Sequence, residues 1–348
     1  MCIRDRLYSV PSQLDAISGG SYKVNENVEK IYHSAFHKVE GLTKLILPKN
    51  LQHVDAGFPT ITPSDDIAEF TIATGGHPAY QIKGGALCKD TELILYPRAR
   101  TEKNYTVPNG ITSIASRAID NNKFMETIDL NQVTKLNNTS LYGDQKLRTV
   151  TLPKGLEIDG VDGAISSCEN ISEYKAPADC LNFEVVDGVV YSKGDRSTLY
   201  FFPPKKAVNA GKYTVDTAVK TIGKNAFAGC STVTELTIPT NVEKISESAF
   251  NNVYNMTKVT FAEPSHVATI EKSAFGWLQK LKEVTLPSAL TKLDKIFQSC
   301  NNLETINVPD GSKLKTITRG ALETNTKLKT FNFEGSCDLE TIEEGAFY

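Results

Sequence analysis

Three stretches of this chain spell one phrase. Val242 to Phe250, Val267 to Phe275 and Leu339 to Phe347 each read aliphatic-x-x-Ile-x-x-x-Ala-Phe. The Ile position keeps time: Ile222 to Ile245 is 23 residues, to Ile270 25, to Leu293 23, to Ile317 24 and to Ile342 25. Self-similarity at this period is the signature of a stacked solenoid, in which each turn buries its apolar side only against its neighbours. Such a chain offers an extended surface rather than the single closed core that usually encloses an active-site pocket.

The longest form of the unit runs from Val219 to Pro239. Its end, Val233-x-x-Leu236-x-Ile238, recurs as Leu42-x-x-Leu45-x-Leu47, Leu147-x-x-Val150-x-Leu152, Leu281-x-x-Val284-x-Leu286 and Leu303-x-x-Ile306-x-Val308. Alternation at the last two apolar positions predicts a strand. Stacked copies of one strand must run parallel, which predicts one long parallel sheet. A proline ends many of the copies (Pro48, Pro153, Pro177, Pro239, Pro287, Pro309), since it cannot donate to a ladder. A turn and a second short strand such as Val242 to Ile245 follow. The Ser-x-Ser-Ala-Phe stretch is expected to make a helical turn that drops the phenyl ring into the core. The inward column is then Phe36, Ile119, Leu141, Ile165, Phe227, Phe250, Phe275, Phe297, Leu322 and Phe347.

A second pattern interrupts the array. Leu-x-x-x-Pro leads to Tyr-x-Val at Tyr22-x-Val24, Tyr105-x-Val107 and Tyr213-x-Val215. Asp187-Gly188, between two β-rich runs, is a strong hairpin signal, and Gly84-Gly85 is a weaker one. The predicted organisation is the end of an inserted hairpin with a connector at 7–27, repeats at 28–79, a hairpin at 80–110, repeats at 111–180, a hairpin at 181–218 and repeats at 219–348. Residues 59–79 are the least regular stretch and the expected site of a flexible bulge. Leu51 to Phe58 lacks a recognisable downstream strand, and Gly160 stands in an Ile position. Met1 to Arg6 resembles a translated adapter and is expected to be foreign. The array is expected to be a fragment of a longer chain.

The phrase I-x3-A-F-x2-C-x2-L-x2-[VL]-x-[LI]-P, carried most fully by Ile222 to Pro239, resembles the BspA-like leucine-rich repeat. The D-G-V-V-Y hairpin at Asp187 to Tyr191 is a companion feature of that family. The resemblance covers nearly all of residues 7–348. It implies an α/β fold: a right-handed leucine-rich-repeat solenoid with a long parallel β-sheet, short helical turns and inserted β-hairpins. It also implies a secreted or surface-anchored bacterial protein whose usual role is adhesion or protein binding.

The residues offer little chemistry. A net charge of −3 gives no electrostatic footprint for nucleic acid, and no apolar run is long enough to suggest a transmembrane helix. Cys168, Cys230 and Cys300 sit three residues after the inward column and are expected to be buried fillers. Cys88, Cys180 and Cys337 lie outside that position and could form a disulfide in an oxidising compartment. His33 and His37 are four apart but lack the Glu of a zincin motif, and they are expected to flank their turn at the surface. Asp65-Asp66 and Asp159…Asp162 read as turn formers, with calcium binding the alternative. Trp277, the single tryptophan, is expected to cover its turn; the alternative is an exposed binding anchor. No nucleophile elbow or phosphate loop is present. The expectation is therefore no catalytic residue, no metal and no cofactor.

The outward strand positions are the place to look for binding. With Leu42, Leu45 and Leu47 inward, Lys44 and Ile46 face out. The corresponding pairs are Thr127/Asp129, Thr149/Thr151, Glu173/Lys175, Glu235/Thr237, Lys258/Thr260, Glu283/Thr285, Thr305/Asn307 and Thr330/Asn332. Threonine dominates, as it would on any exposed sheet; it would equally make a polar strip for an extended partner. The strip lacks aromatic platforms. The sequence reading is a non-enzymatic cell-surface protein that binds a host matrix or surface protein, with a glycan-binding or enzyme-associated scaffold module as the alternative. A third possibility is a eukaryotic surface protein glycosylated at Asn104, Asn138, Asn170 and Asn255.

Overall fold

The computed structural model describes residues 17, 19–32, 35–36, 39–54, 66–158 and 163–347, together with the backbone of Cys2–Ile3 and Arg6–Leu7. The chain forms two compact units, residues 1–170 with 175–179 and residues 171–174 with 180–348. Each is a parallel β-solenoid.

In the second unit the strand phrase stacks as Lys212–Thr214, Glu235–Ile238 and Lys258–Phe261, all parallel and in register. A further parallel set is Glu283–Thr285, Thr305–Val308 and Thr330–Phe333. The Ile position makes a second column. Thr221–Ile222, Lys244–Ile245 and Thr269–Ile270 pair with Ile opposite Ile; in Lys292–Leu293, Thr316–Ile317 and Thr341–Ile342, Leu293 lies opposite Ile317 and Ile317 opposite Ile342. So the expected single long sheet is instead two columns per turn, each made of short segments. Ile270 and Leu293 share one buried cluster, but no ladder pairing joins their strands. Across that step the turn side holds the stack: Phe275 N–H donates to Ile296 O (3.1 Å) and Trp277 N–H to Gln298 O (2.9 Å).

The helical turn expected at Ala-Phe does not form. The described residues hold one short 3-10 turn, Asn209–Gly211, and no α-helix. The cause lies in the residue before each alanine. Asn225, Ser248 and Ser273 have φ of 55°, 57° and 55°, a left-handed conformation that stops a right-handed helix after one residue. The chain bends there, and Phe250 N–H donates to Ala274 O of the next turn (2.7 Å) rather than back along its own.

The phenyl rings still reach the core. Phe227, Phe250, Phe275 and Phe297 are fully buried. Their rings stack with centroids 4.8, 4.9 and 5.7 Å apart, and Phe202, absent from the expected column, extends the stack at 4.5 Å. Parallel offset rings add a stacking term to burial. Two expected members differ: Ile165 is half-buried, and Phe347, in the last described turn, is 50% exposed.

In the first unit the strand phrase stacks as Ser21–Lys23, Lys44–Leu47 and Glu69–Ile72, and as Asn104–Thr106, Thr127–Asp129 and Thr149–Thr151. Glu69–Ile72 is the strand that appeared to be missing after Leu51, hidden because its spacing departs from the phrase. Inserted strands Tyr80–Lys83, Ala86–Lys89 and Glu92–Leu95 form an antiparallel meander whose last strand pairs in parallel with Ser113–Ile114. In the second unit Phe183–Val186, Val189–Ser192 and Thr198–Phe201 repeat that arrangement around Asp187-Gly188. From Ile119 onward the inward column of the first unit is itself a small parallel sheet, Ile119–Asp120, Leu141–Tyr142 and Ile165–Ser166.

Candidate functional site

The strand-phrase column places the predicted strip residues in ladders. Thr127 pairs with Thr149 and Asp129 with Thr151; Glu235 pairs with Lys258 and Thr237 with Thr260; Glu283 lies beside Thr305, and Thr305 beside Thr330. Their inward neighbours Ile128, Val150, Leu236, Val259, Val284 and Ile306 are buried. This alternation follows from the strand's period of two. Lys44, Ile46, Thr127, Asp129, Thr149, Thr151, Glu235, Thr237 and Thr305 are half-exposed, as is Glu173; Lys175, Lys258, Thr260, Glu283, Thr285, Thr330 and Asn332 are exposed. Asn307 is the exception, at 7% exposure. Its amide donates to Glu283 Oε1 (2.7 Å) and its oxygen accepts from Asn332 Nδ2 (2.9 Å), which fixes a hydrogen-bonded row of three side chains.

The row has members that the sequence reading passed over. Lys212 and Thr214 pair with Glu235 and Thr237, Asn104 and Thr106 with Thr127 and Asp129, and Glu69 and Thr71 with Lys44 and Ile46. The signal was present: in each Tyr-x-Val phrase, Tyr occupies the inward Leu position. Tyr213 lies opposite Leu236 and Tyr105 opposite Ile128. Charges alternate in two stretches of the row, Lys44–Glu69 and Lys212–Glu235–Lys258, while Asn104–Thr127–Thr149 and Thr305–Thr330 are neutral. Lys44 Nζ lies 2.8 Å from Glu69 Oε1, and Lys212 Nζ lies 3.3 Å from Glu235 Oε2. Exposed pairs like these add little stability and stay available to a partner.

The other candidate chemistries resolve into structural roles. Cys88, Cys168, Cys180, Cys230, Cys300 and Cys337 are free thiols. Burial pushes the Cys88 thiol up to about 11 and Cys300 to about 12, so neither offers a thiolate at neutral pH. His33 and His37 lie outside the described residues, as do Asp65, Asp159, Gly160 and Asp162. Asp66 is exposed and meets Lys123 Nζ at 3.3 Å. His77 Nδ1 accepts from the backbone of Ala79 (3.0 Å) and Tyr80 (2.8 Å), which makes it a turn staple. Among the described residues, no group of three or more His, Cys, Asp or Glu side chains is placed to hold a metal ion, and no helix is long and apolar enough to cross a membrane.

The first unit carries one polar cluster that the sequence reading did not find. Three residues after the inward column stand Asn122, Asp144 and Cys168, all buried. Asp144 Oδ1 accepts from Asn122 N–H (2.6 Å). Asn122 donates to Pro97 O (2.9 Å) and accepts from the N–H groups of Phe124 and Met125 at 2.9 and 2.7 Å. Burial raises the Asp144 carboxyl well above the usual carboxylate range, and the nearby Asp120 reinforces it. Asp120 itself pairs with Arg98, both buried. The cluster sits behind the turn backbone, inaccessible to a substrate.

Comparison with known proteins gives the following. A family profile, the BspA type leucine-rich repeat region, matches residues 16–58, 99–185, 205–311 and 263–348. Among solved structures, a leucine-rich cell surface protein from Faecalibacterium prausnitzii is similar at 21% identity and a TM-score of 0.58, covering 91% of this chain and 79% of that one. A leucine-rich repeat protein from Eubacterium ventriosum is similar at 16% identity and a TM-score of 0.56, covering 94% and 82%. The pneumococcal vaccine antigen PcpA is similar at 14% identity and a TM-score of 0.52, covering 93% and 91%. These likenesses concern the fold. No curated protein matches.

Proposed function

We infer function from one premise: this chain belongs to the BspA-type leucine-rich repeat family, whose profile covers well over half of it. From that premise we propose a non-enzymatic bacterial surface protein that binds a host matrix or surface protein along the outward row of its strand-phrase column. The observation that carries this reading is the ladder Lys212–Glu235–Lys258 beside Thr214–Thr237–Thr260, polar and solvent-facing over an apolar layer of half-buried Tyr213 and buried Leu236 and Val259. Its side chains stand at the spacing of adjacent strands, about 4.8 Å. An extended polypeptide lying across the turns meets hydroxyl, carboxylate and ammonium groups at fixed intervals. Alternating charge along the row favours a partner of complementary pattern and disfavours others. The described neighbour from Faecalibacterium prausnitzii, a cell surface protein, is consistent with the proposed location.

The test is a biosensor titration of the full chain against fibronectin, laminin and collagen, repeated with Thr237→Lys, Thr260→Lys and Thr285→Lys combined. The expected result is binding to at least one of the three that weakens by tenfold or more in the triple variant (about 1.4 kcal/mol). Binding that is unchanged in the triple variant, or no binding to any matrix protein, overturns the reading.

A further inference from the structure

We propose that the second unit carries a hinge at the step from the Ile270 turn to the Leu293 turn: its strand side opens and closes about a turn side that stays bonded. The motion belongs to the stack itself and needs no partner. Its origin is a spacing in the sequence. The ring position follows the Ile position by five residues in Ile222 to Phe227, Ile245 to Phe250, Ile270 to Phe275, Ile317 to Leu322 and Ile342 to Phe347, and by four from Leu293 to Phe297. With one residue fewer, that turn seats Phe297 in the ring stack but not Leu293 in the ladder of Ile270.

Both strand columns part at this level. One turn earlier, Glu243 and Lys244 N–H donate to Lys220 O (2.8 and 3.1 Å), and Thr257 and Lys258 N–H to Thr234 O (2.8 and 3.3 Å). One turn later, Lys315 and Thr316 N–H donate to Thr291 O (2.9 and 3.4 Å), and Glu304 and Thr305 N–H to Lys282 O (2.8 and 3.1 Å). Here Thr291 N–H reaches Ala268 O at 3.5 Å, Lys282 and Glu283 N–H make no bond to Thr257 O, and Asp294 N–H makes none to Ile270 O. The gap is a hollow of about 320 Å³ lined by Thr269, Glu271, Lys272, Thr291, Lys292 and Asp294. Val259, Phe261 and Ile270, on its upstream wall, keep 5–8% exposure, against 0–1% for Leu236, Ile238 and Ile245 one turn earlier.

Charge keeps the strand side apart. Glu271 and Asp294 both follow the Ile position, so like charges occupy one place in successive turns, which opposes close strand pairing. Each is matched on its own side of the gap, Glu271 by Lys244 at 2.7 Å and Asp294 by Lys292 at 3.2 Å. Among the described residues, ion pairs cross the steps before and after, as in Lys244–Glu271 and Lys295–Glu323, and none crosses this one. The turn side is bonded throughout. Ser273 N–H donates to Lys295 O (2.9 Å), Phe275 N–H to Ile296 O (3.1 Å) and Trp277 N–H to Gln298 O (2.9 Å), and Gln279 Nε2 reaches Ser299 O (2.9 Å). At the corner between the two strand columns, Ser288 Oγ donates to Glu263 Oε2 (2.6 Å), a tether that limits opening. A stack bonded along one edge and parted along the other has a low-cost motion about the bonded edge.

The test measures distances between paired nitroxide labels on the full chain by pulsed electron resonance. Cys2 and Cys337 are first replaced by serine; the other thiols, at Cys88, Cys168, Cys180, Cys230 and Cys300, are buried. One pair, Glu235→Cys with Thr330→Cys, spans the step on the strand side. The other, Ala228→Cys with Glu323→Cys, spans it on the turn side. Each pair lies four turns apart, about 19 Å at the strand spacing. The strand-side pair should give the broader distribution, with a longer-distance population that the turn-side pair lacks. Inserting one alanine after Lys295 restores the five-residue spacing and should narrow the strand-side distribution. Asp294→Ser, which removes the like charge and places there the residue type of Ser246, should narrow it in a chain of unchanged length. A strand-side distribution as narrow as the turn-side one, or a breadth that neither variant reduces, overturns the proposal.

Discussion

The turn sides of the two units solve one geometric problem with different chemistry. In the second unit, Phe202 to Phe297 stack as rings, and the position three residues on is filled by Cys230, Val253, Leu278 and Cys300, all fully buried. The first unit opens with an apolar turn of the same kind, Phe36 with Val39, but from Ile119 onward its ring position holds Ile119, Leu141 and Ile165, and the position three residues on holds Asn122, Asp144 and Cys168. Aliphatic residues there let the backbone pair as a small sheet. The polar residues behind satisfy the turn's own N–H and C=O groups. The phenyl stack draws its stability from buried area, whereas the polar ladder draws it from hydrogen bonds and keeps a carboxyl group away from water.

That contrast can be broken at its strongest point by Phe250→Ala. The ring stacks on Phe227 and Phe275 at 4.8 and 4.9 Å, so its loss leaves a cavity inside the column and should cost about 3–5 kcal/mol. In a solenoid the loss concentrates in adjoining turns. Hydrogen exchange should therefore accelerate around residues 226–275 and leave the first unit unchanged. Uniform acceleration over the whole chain would show that the two units melt as one.

Asn122→Ala probes the polar side. It removes the acceptor for Phe124 and Met125 N–H and the donor to Pro97 O, so buried backbone groups lose their partner. The expected cost is about 1–3 kcal/mol by chemical denaturation. A cost below that range would mean that water replaces the amide.

Asp144 gives the contrast a pH signature. Its folded-state pKa lies well above the ordinary carboxylate value, because burial disfavours the charge. The folded chain thus keeps a proton that the unfolded chain releases. Stability from this group is highest below the unfolded carboxylate pKa, falls as pH rises above it and levels off once pH passes the folded value. Asp144→Asn keeps an oxygen for Asn122 N–H and removes the titration. The variant should show a flatter stability profile from about pH 4 upward, measured by urea melts at stepped pH. A profile identical to the parent's would mean that Asp144 is charged in the folded state.

The smallest effect belongs to the strand row. Thr237→Lys, Thr260→Lys and Thr285→Lys should each change stability by less than about 0.5 kcal/mol, since their side chains face solvent. Unfolding of the triple variant would show that these positions face the core.

Much of this was legible in the sequence. The alternation in Val233-x-x-Leu236-x-Ile238 assigned inward and outward faces, and the structure buries Leu236 and Ile238 as read. Asp187-Gly188 announced its hairpin, and the column position of Cys168, Cys230 and Cys300 announced their burial. Asn307 was misjudged, because a strand alternation says which way a side chain leaves the backbone and not whether Glu283 and Asn332 close over it. Asp144 was missed because aspartate in a turn reads as solvated. For Trp277 the sequence leaves open cover for its turn and an exposed anchor, since nothing local reveals its φ of 61° or its 47% exposure.

By itself, the sequence determined the period, the parallel stacking and most members of the inward columns. These follow from covalent geometry: a strand alternates every two residues, and a repeated phrase places the same residue type at the same point of each turn. Tertiary structure alone decided that the Ala-Phe segment bends rather than coils, that Phe202 joins the ring stack, and that the ladders part between Ile270 and Leu293 while the turn side stays joined. Each of those outcomes depends on the turns above and below, about two dozen residues away in the chain. The free energy of a turn is set by those non-local contacts as much as by its own residues.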